Sequence, residues 1–363
     1  MTGKVQPSVR EAQRGEAITF VVPGDLHLTD AGQENYRVAQ WAMGEINGLI
    51  RPDFVVFIGD NTQDAAPAQF ALFNALRARL TVPHDVLVGD HDVHDDPQAT
   101  GFRHHIGETY GARKFLGARF LRLNTQQARP LGMSADQVAW LGDQVDAARA
   151  AGEQVVVFQH NYPFQIWEDF DGPGMDEWRG IVQTRRIAAL VCGHTHYFQE
   201  ANDGRNVAVA VRSIGDPEGG QPGYLVGYLH GDDLAFAYRT VEDDGPFILV
   251  MHPRDALLAT GPRHVICGED QVRVWTRTTS SIASARWRVD AGDWHLLERA
   301  GDDQWAGRLS VAGRFKGKHD LEVEVRDAGG RTGRRQQEFM VDVTGRYNPV
   351  PAVRPVVTQT QFC

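Results

Sequence analysis

Five apolar runs ahead of residue 200 each end on a side chain able to ligate a metal ion. Residues 18–22 (ITFVV) lead to Gly24-Asp25, with His27 just beyond, and residues 54–58 (FVVFI) lead to Gly59-Asp60. Residues 85–88 end at Gly89-Asp90-His91, residues 155–158 (VVVF) at Gln159-His160, and residues 188–192 (AALVC) at Gly193-His194, with His196 following. Short continuous apolar runs of this kind are strands buried on both faces. Helical patterns separate them over residues 33–50, 67–80 and 134–151, the last opened by a Ser134/Gln137 capping box. The expectation is an α/β layered fold. In such folds ligands sit at the carboxyl ends of the strands, so all five clusters would converge on one crevice. Any one Asp or His alone is more often a solvated surface group. Five clusters at five strand ends are not reached by chance.

Composition narrows the chemistry. The chain of 363 residues holds 14 His but only 3 Cys, Cys192, Cys267 and Cys363, with no CxxC pair. A thiolate zinc cage and a disulfide framework are excluded, so a bound metal would be held by imidazole and carboxylate. A formal charge of −10 argues against a nucleic acid polymer or an anionic membrane as partner. No stretch approaches the roughly 18 apolar residues of a membrane span. Residues 1–16 carry no apolar leader core, so a cytoplasmic location is expected.

Past residue 245 the texture changes to alternating runs and Gly/Asp turns, with strand candidates at 272–275, 284–289, 294–297, 305–309, 320–326 and 336–341. That spacing suits an all-β sandwich, weakly immunoglobulin- or fibronectin-like. The expected division is an N-terminal extension (1–16), a catalytic domain (17–244), a β-sandwich accessory domain (245–343) and a proline-bearing tail (344–363) that hugs a surface or is disordered. Trp275, Trp287, Trp294 and Trp305 read as core or interface anchors. The accessory domain is expected to support homo-oligomer formation or to cap the mouth of the site.

The ordered motifs Asp25-Leu26-His27, Gly59-Asp60, Gly89-Asp90-His91-Asp92, His160 and Gly193-His194-Thr195-His196 resemble the signature of the calcineurin-like metallophosphoesterases. The resemblance implies a four-layer α-β-β-α sandwich and two divalent metal ions, drawn from Mn, Fe and Zn. Asp25, His27 and His196 would hold one ion, Asp90, His160 and His194 the other, with Asp60 bridging. It further implies attack on phosphorus by a hydroxide held between the ions. His91 would contact or protonate the leaving-group oxygen, and Asp92 would orient the His91 ring. One position departs from the family: Asp90 stands where Asn is usual, adding a negative charge and removing an amide donor. The second motif, Gly59-Asp60-Asn61-Thr62-Gln63-Asp64, lacks the additions of protein Ser/Thr phosphatases and the Tyr of purple acid phosphatases. The chain looks most like the phosphodiesterase branch, including class III cyclic nucleotide phosphodiesterases, although His160-Asn161-Tyr162-Pro163 replaces the branch's frequent His-His-Pro.

A small-molecule phosphodiester is therefore the expected substrate. A phosphomonoesterase or nuclease on the same fold and a non-catalytic metal-binding scaffold are the competing readings. Outside the motifs, His94 could reach substrate from its loop, while His84, His104 and His105 read as ordinary surface or helix residues. The aromatic segment 162–178 is a lid candidate, weighed equally against simple packing onto the domain.

Overall fold

The computed structural model describes residues 17–94, 96–115, 117–163 and 171–355. The expected N-terminal extension lies outside the described residues, as do Phe164, Trp167 and Phe170 of the lid candidate and the tail beyond residue 355.

Two sheets stack over one apolar layer. The first has the order Asp233–Thr240, Gly223–His230, Ile18–Pro23, Phe54–Phe57, His84–Val86. Its last three strands run parallel. The second sheet orders Ala352–Arg354, Gln199–Asn202, Val207–Ala210, Ala189–Cys192, Gln154–Gln159, Ala118–Arg122, Gly111–Phe115, and four of these are parallel neighbours.

Alternation along the strands builds the layers. Ile18, Phe20 and Val22 point between the sheets, where they meet Phe120, Val156 and Phe158. Val21, Val55 and Phe57 point the other way, beneath helices Glu34–Glu45 and Pro67–Arg77. On the far side, Leu121, Val155 and Val157 lie beneath helices Ala135–Ala151 and Met175–Thr184. The result is the α-β-β-α sandwich, which is why these strands are apolar on both faces. Each fully buried side chain of this size contributes about 1.5–3 kcal/mol.

The C-terminal part is all-β. Two four-stranded antiparallel sheets enclose Ile248, Val250, Val272 and Val274 on one side and Trp287, Leu321, Val323 and Phe339 on the other. Strand Phe247–His252, just past the expected boundary, serves two cores at once. Ile248 and Val250 enter the sandwich, while Phe247, Leu249 and Met251 join the helix-covered core of the first sheet. Trp275 packs there too, its ring 5.6 Å from that of Phe247. Trp294 lies under the guanidiniums of Arg286 and Arg288.

Two local expectations need correction, and one hairpin was not expected. The helical pattern over 33–50 is an α-helix only over Glu34–Glu45; Ile46–Ile50 is a π-helical turn closed by left-handed Arg51. The hairpin of Gly111–Phe115 and Ala118–Arg122 carries no apolar run, because Arg113, Lys114, Arg119 and Arg122 interrupt it. The tail does not merely lie on a surface: Ala352–Arg354 pairs with Gln199–Asn202 as the edge strand of the second sheet. Arg354 bonds the carboxylates of Glu200 and Asp255, anchoring that edge. Among the described residues no helix is long and apolar enough to cross a membrane.

Candidate metal centre

The five strand-end loops meet at one place. Asp60, Asp90, His160 and His194 each offer a ligand atom, and these atoms lie within 4.8 Å of one another. A second group, His27, Asp60 and His91, meets the same condition, so Asp60 belongs to both. In the first group Asp90 Oδ1 is 3.0 Å from His160 Nε2 and 3.0 Å from His194 Nδ1. In the second, His27 Nε2 lies 3.7 Å from Asp60 Oδ2 and 3.1 Å from His196 Nε2. Asp25 sits beneath both groups, fully buried, its Oδ2 accepting from the His194 main-chain N–H at 3.0 Å.

The backbone is bent to achieve this. His27, Asp60, His194 and His196 have φ of 46°, 48°, 70° and 59°, a region that non-glycine residues seldom occupy. Two glycines let the clusters close: a Cβ on Gly89 would collide with Asp60 and one on Gly193 with Asp25. These glycines are required for close approach between loops.

The polar atoms suit cations. Asp25 Oδ1 and Asp60 Oδ2 are buried without a well-formed hydrogen bond, and a buried carboxylate oxygen left so is costly. His160 Nδ1 donates to the Ile58 carbonyl at 3.0 Å, which leaves Nε2 to face Asp60 and Asp90, where a cation would displace its proton. Asp90 is held ionised: burial opposes this, but the imidazoles of His160 and His194 outweigh it and push the carboxyl far below its usual range. His160 is driven the other way, well above an ordinary histidine, because the Asp60, Asp90 and Asp25 carboxylates overcome its burial. Oxygen and imidazole donors clustered at this density, with three carboxylates among them, fit two divalent cations.

His91 and Asp92 part company. The His91 main chain donates to Asp60 Oδ1 at 2.9 Å, and its ring Nδ1 donates to the Gln63 carbonyl at 2.8 Å. Nε2 is thereby left toward the cavity beside the metal groups. The expected Asp92–His91 contact is not what holds this ring. Asp92 turns inward and accepts from the main chains of Asn61, Thr62 and Gly89 and from the side chains of Asn61 and Thr62. It fastens the second motif to the third. Burial and the Asp60 charge push its pKa up to about 6.

Other residues enter the site that sequence reading passed over. Asn35 Nδ2 bonds the His27 carbonyl at 2.6 Å, and Asp216 Oδ2 stands 3.5 Å from His196 Nδ1. Gln63 touches both His27 and His91. Arg212 bonds the carbonyls of Glu218, Gly219 and Gln221 and so braces the wall that carries Asp216. None of these has a local pattern that announces it. The histidines outside the motifs divide: His94 is exposed, its ring 6.3 Å from that of His91. His105 stacks on Phe70, and His84 packs at Phe57 away from the site. Of the lid candidate, Tyr162 and Trp178 are buried in the core beneath helix Ala135–Ala151.

A family model described as calcineurin-like phosphoesterase matches residues 18–198. This part of the chain belongs to that family. The phosphoesterase is accordingly a metal-dependent phosphoester hydrolase by descent, with a donor set able to hold two ions. A curated relative, the probable glycerophosphodiester phosphodiesterase GpdQ of Arcobacter nitrofigilis, is 22% identical over 191 residues, 47% of this chain and 69% of its own length. A dimetal phosphatase from Danio rerio superposes with a TM-score of 0.51, covering 61% of this chain and 96% of its own at 13% identity. GAP50, the anchor in the inner membrane complex of Plasmodium, gives 0.50 over 62% of this chain and 85% of its own, also at 13%. At such identities the likeness is one of fold.

Proposed function

We propose that the phosphoesterase hydrolyses a small, polar phosphodiester with two divalent cations. Asp25, His27 and His196 would hold one, Asp90, His160 and His194 the other, and Asp60 would bridge them. When bound, such ions supply charge neutralisation at the phosphoryl oxygens and a nucleophile at neutral pH.

The observation that carries the diester reading is Asp90, a carboxylate 3.0 Å from both His160 Nε2 and His194 Nδ1. With Asp25 and Asp60 it sets three negative charges against two divalent cations, leaving one net positive charge. A bound hydroxide would bring that to zero, so a diester monoanion adds one uncompensated negative charge and a monoester dianion adds two. His91 supports the same chemistry. Its Nδ1 is committed to a main-chain carbonyl, so the ring presents Nε2 to the substrate as donor to a phosphoryl or leaving-group oxygen.

The cavity beside the metal groups, about 440 Å³, narrows the alcohol. Thr29, Gln33, Asn35, Gln63 and Asp216 line it alongside the site histidines, and no Lys, Arg, Phe, Tyr or Trp does so among the described residues. A hydroxyl- or amine-bearing alcohol suits such walls, and among the described residues no aromatic ring beyond the site histidines offers a nucleobase a stacking surface. The named activity of the Arcobacter relative, on glycerophosphodiesters, points the same way.

The test is turnover after loading with Mn or Zn. Bis-p-nitrophenyl phosphate is compared with p-nitrophenyl phosphate, and a glycerophosphodiester with a cyclic nucleotide. The proposal expects the diester and the glycerophosphodiester to lead. A monoester preference would overturn it, and two bound metals without any turnover would favour a non-catalytic scaffold.

A further inference from the structure

Among the described residues lining the cavity, Gln63 hydrogen-bonds both the ligand histidine His27 and the acid-position histidine His91. Its main chain is fixed, since its N–H donates to the Leu28 carbonyl at 3.1 Å where the first and second motif loops pair. Its carbonyl takes the Nδ1 proton of His91 at 2.8 Å. Its side-chain Oε1 lies 3.1 Å from His27 Nδ1. A His27 ring offering Nε2 to a cation carries its proton on Nδ1, so Oε1 is the acceptor there.

That pairing orients the rest of the amide. With Oε1 on His27, the NH2 group falls 3.3 Å from His91 Nδ1. That nitrogen has already given its proton to the Gln63 carbonyl and has no lone pair to receive another. The amide hydrogens therefore find no acceptor at His91 and are available to the cavity that Gln63 and His91 both line. Asp90, being a carboxylate, brings no donor to this space. The cavity lining supplies another amide in its stead.

We propose that Gln63 is a two-ended residue of this site, resting on the metal-dependent reading above. Its Oε1 positions His27 for one metal ion, and its Nε2 donates to a phosphoryl or ester oxygen of the substrate. The two ends are separable by substitution. Gln63→Glu keeps an acceptor for His27 but replaces the donor with an anion. Gln63→Met keeps the length and removes both.

The experiment measures Mn binding by calorimetry and kcat and KM on bis-p-nitrophenyl phosphate at saturating Mn, for the full chain and both variants. Gln63→Glu is expected to bind two Mn ions like the parent while losing roughly 10²-fold in kcat/KM, the scale of one lost donor to a reacting oxyanion. Gln63→Met is expected to bind one Mn ion roughly 10- to 100-fold more weakly, the other unchanged, and to stay impaired when both are forced on. Parent-like kcat/KM in Gln63→Glu overturns the substrate contact. Parent-like affinity for both ions in Gln63→Met overturns the positioning of His27. A parent chain that binds no Mn overturns the metal-dependent reading itself, which separates that failure from this one.

Discussion

The Nε2 atoms of His27 and His196 stand 3.1 Å apart, each on the ring edge opposite a hydrogen-bond acceptor. His27 Nδ1 faces Gln63 Oε1 and His196 Nδ1 lies 3.5 Å from Asp216, so with each ring protonated only at Nδ1 the inward nitrogens present lone pairs to each other. Two lone pairs at this range repel, and a cation between them removes the repulsion. Chelation should therefore lower the melting temperature, and Mn should raise it progressively with concentration. At a hundredfold excess over Kd the gain is about 2.7 kcal/mol. Scanning calorimetry across a Mn series checks this, and a flat response would count against the site.

Asp90→Asn removes one negative charge and restores an amide donor. The ratio of diester to monoester turnover should fall on the order of tenfold, given one unit charge at contact range in a screened site. Kinetics on the two nitrophenyl esters at confirmed double metal occupancy decide it. An unchanged ratio would remove the electrostatic basis of the diester preference.

Asp92 accepts five hydrogen bonds from Asn61, Thr62 and Gly89 in a fully enclosed position. Asp92→Ala should cost about 3–5 kcal/mol, because it strands several buried donors at once. Asp92→Asn keeps the shape and should cost less. Urea denaturation of the metal-free proteins measures both. Were Asp92→Ala as stable as the parent yet inactive, a direct role at His91 would have to be reinstated.

His252 lies where strand Asp233–Thr240 meets the sandwich, its Nε2 3.0 Å from Asp270 Oδ1 and its Nδ1 3.6 Å from Asp233 Oδ1. Burial pulls its pKa down, but the two carboxylates prevail and raise it from 6.5 to about 9. A raised folded-state value means the folded protein holds the proton more tightly than the unfolded chain. The contribution is complete below pH 6.5 and lost as pH climbs through about 9. It is on the order of 3 kcal/mol. Denaturation midpoints between these limits should decline more steeply in the parent than in His252→Gln.

Arg354 neutralises Glu200 and Asp255, both buried in the fold. Arg354→Ala should destabilise by about 2 kcal/mol, discounted for the partial exposure of the guanidinium. Adding Glu200→Gln should recover part of that loss, because the stranded charge is then gone. A thermodynamic cycle on the three variants tests the coupling.

Legibility in the sequence followed locality. The strands between the helices were readable because burial on both faces leaves unbroken apolar runs, and their final Asp and His residues carry the order of the family's motifs. The hairpin ending at Arg122 was not, since its outer strand alternates with Arg113 and Lys114 and carries no such run. Asp92 was misjudged for a different reason. Adjacency to His91 suggests contact, but the turn from Asp90 onward points the two side chains in opposite directions. Gln63, Asn35 and Asp216 gain their meaning only when loops far apart in the chain are brought together, and no periodicity encodes that.

Strand Phe247–His252 lends alternate side chains to two cores, and Ala352–Arg354 completes a sheet begun far upstream. The nascent phosphoesterase half therefore cannot finish itself as it leaves the ribosome. One apolar face waits for Leu249 and Met251, and one sheet edge waits for Ala352–Arg354. Translation must run past residue 354 before the phosphoesterase half is closed. A recombination event that traded the sandwich for another module would leave a catalytic half with an open wound on each flank. The two halves are heritable only together.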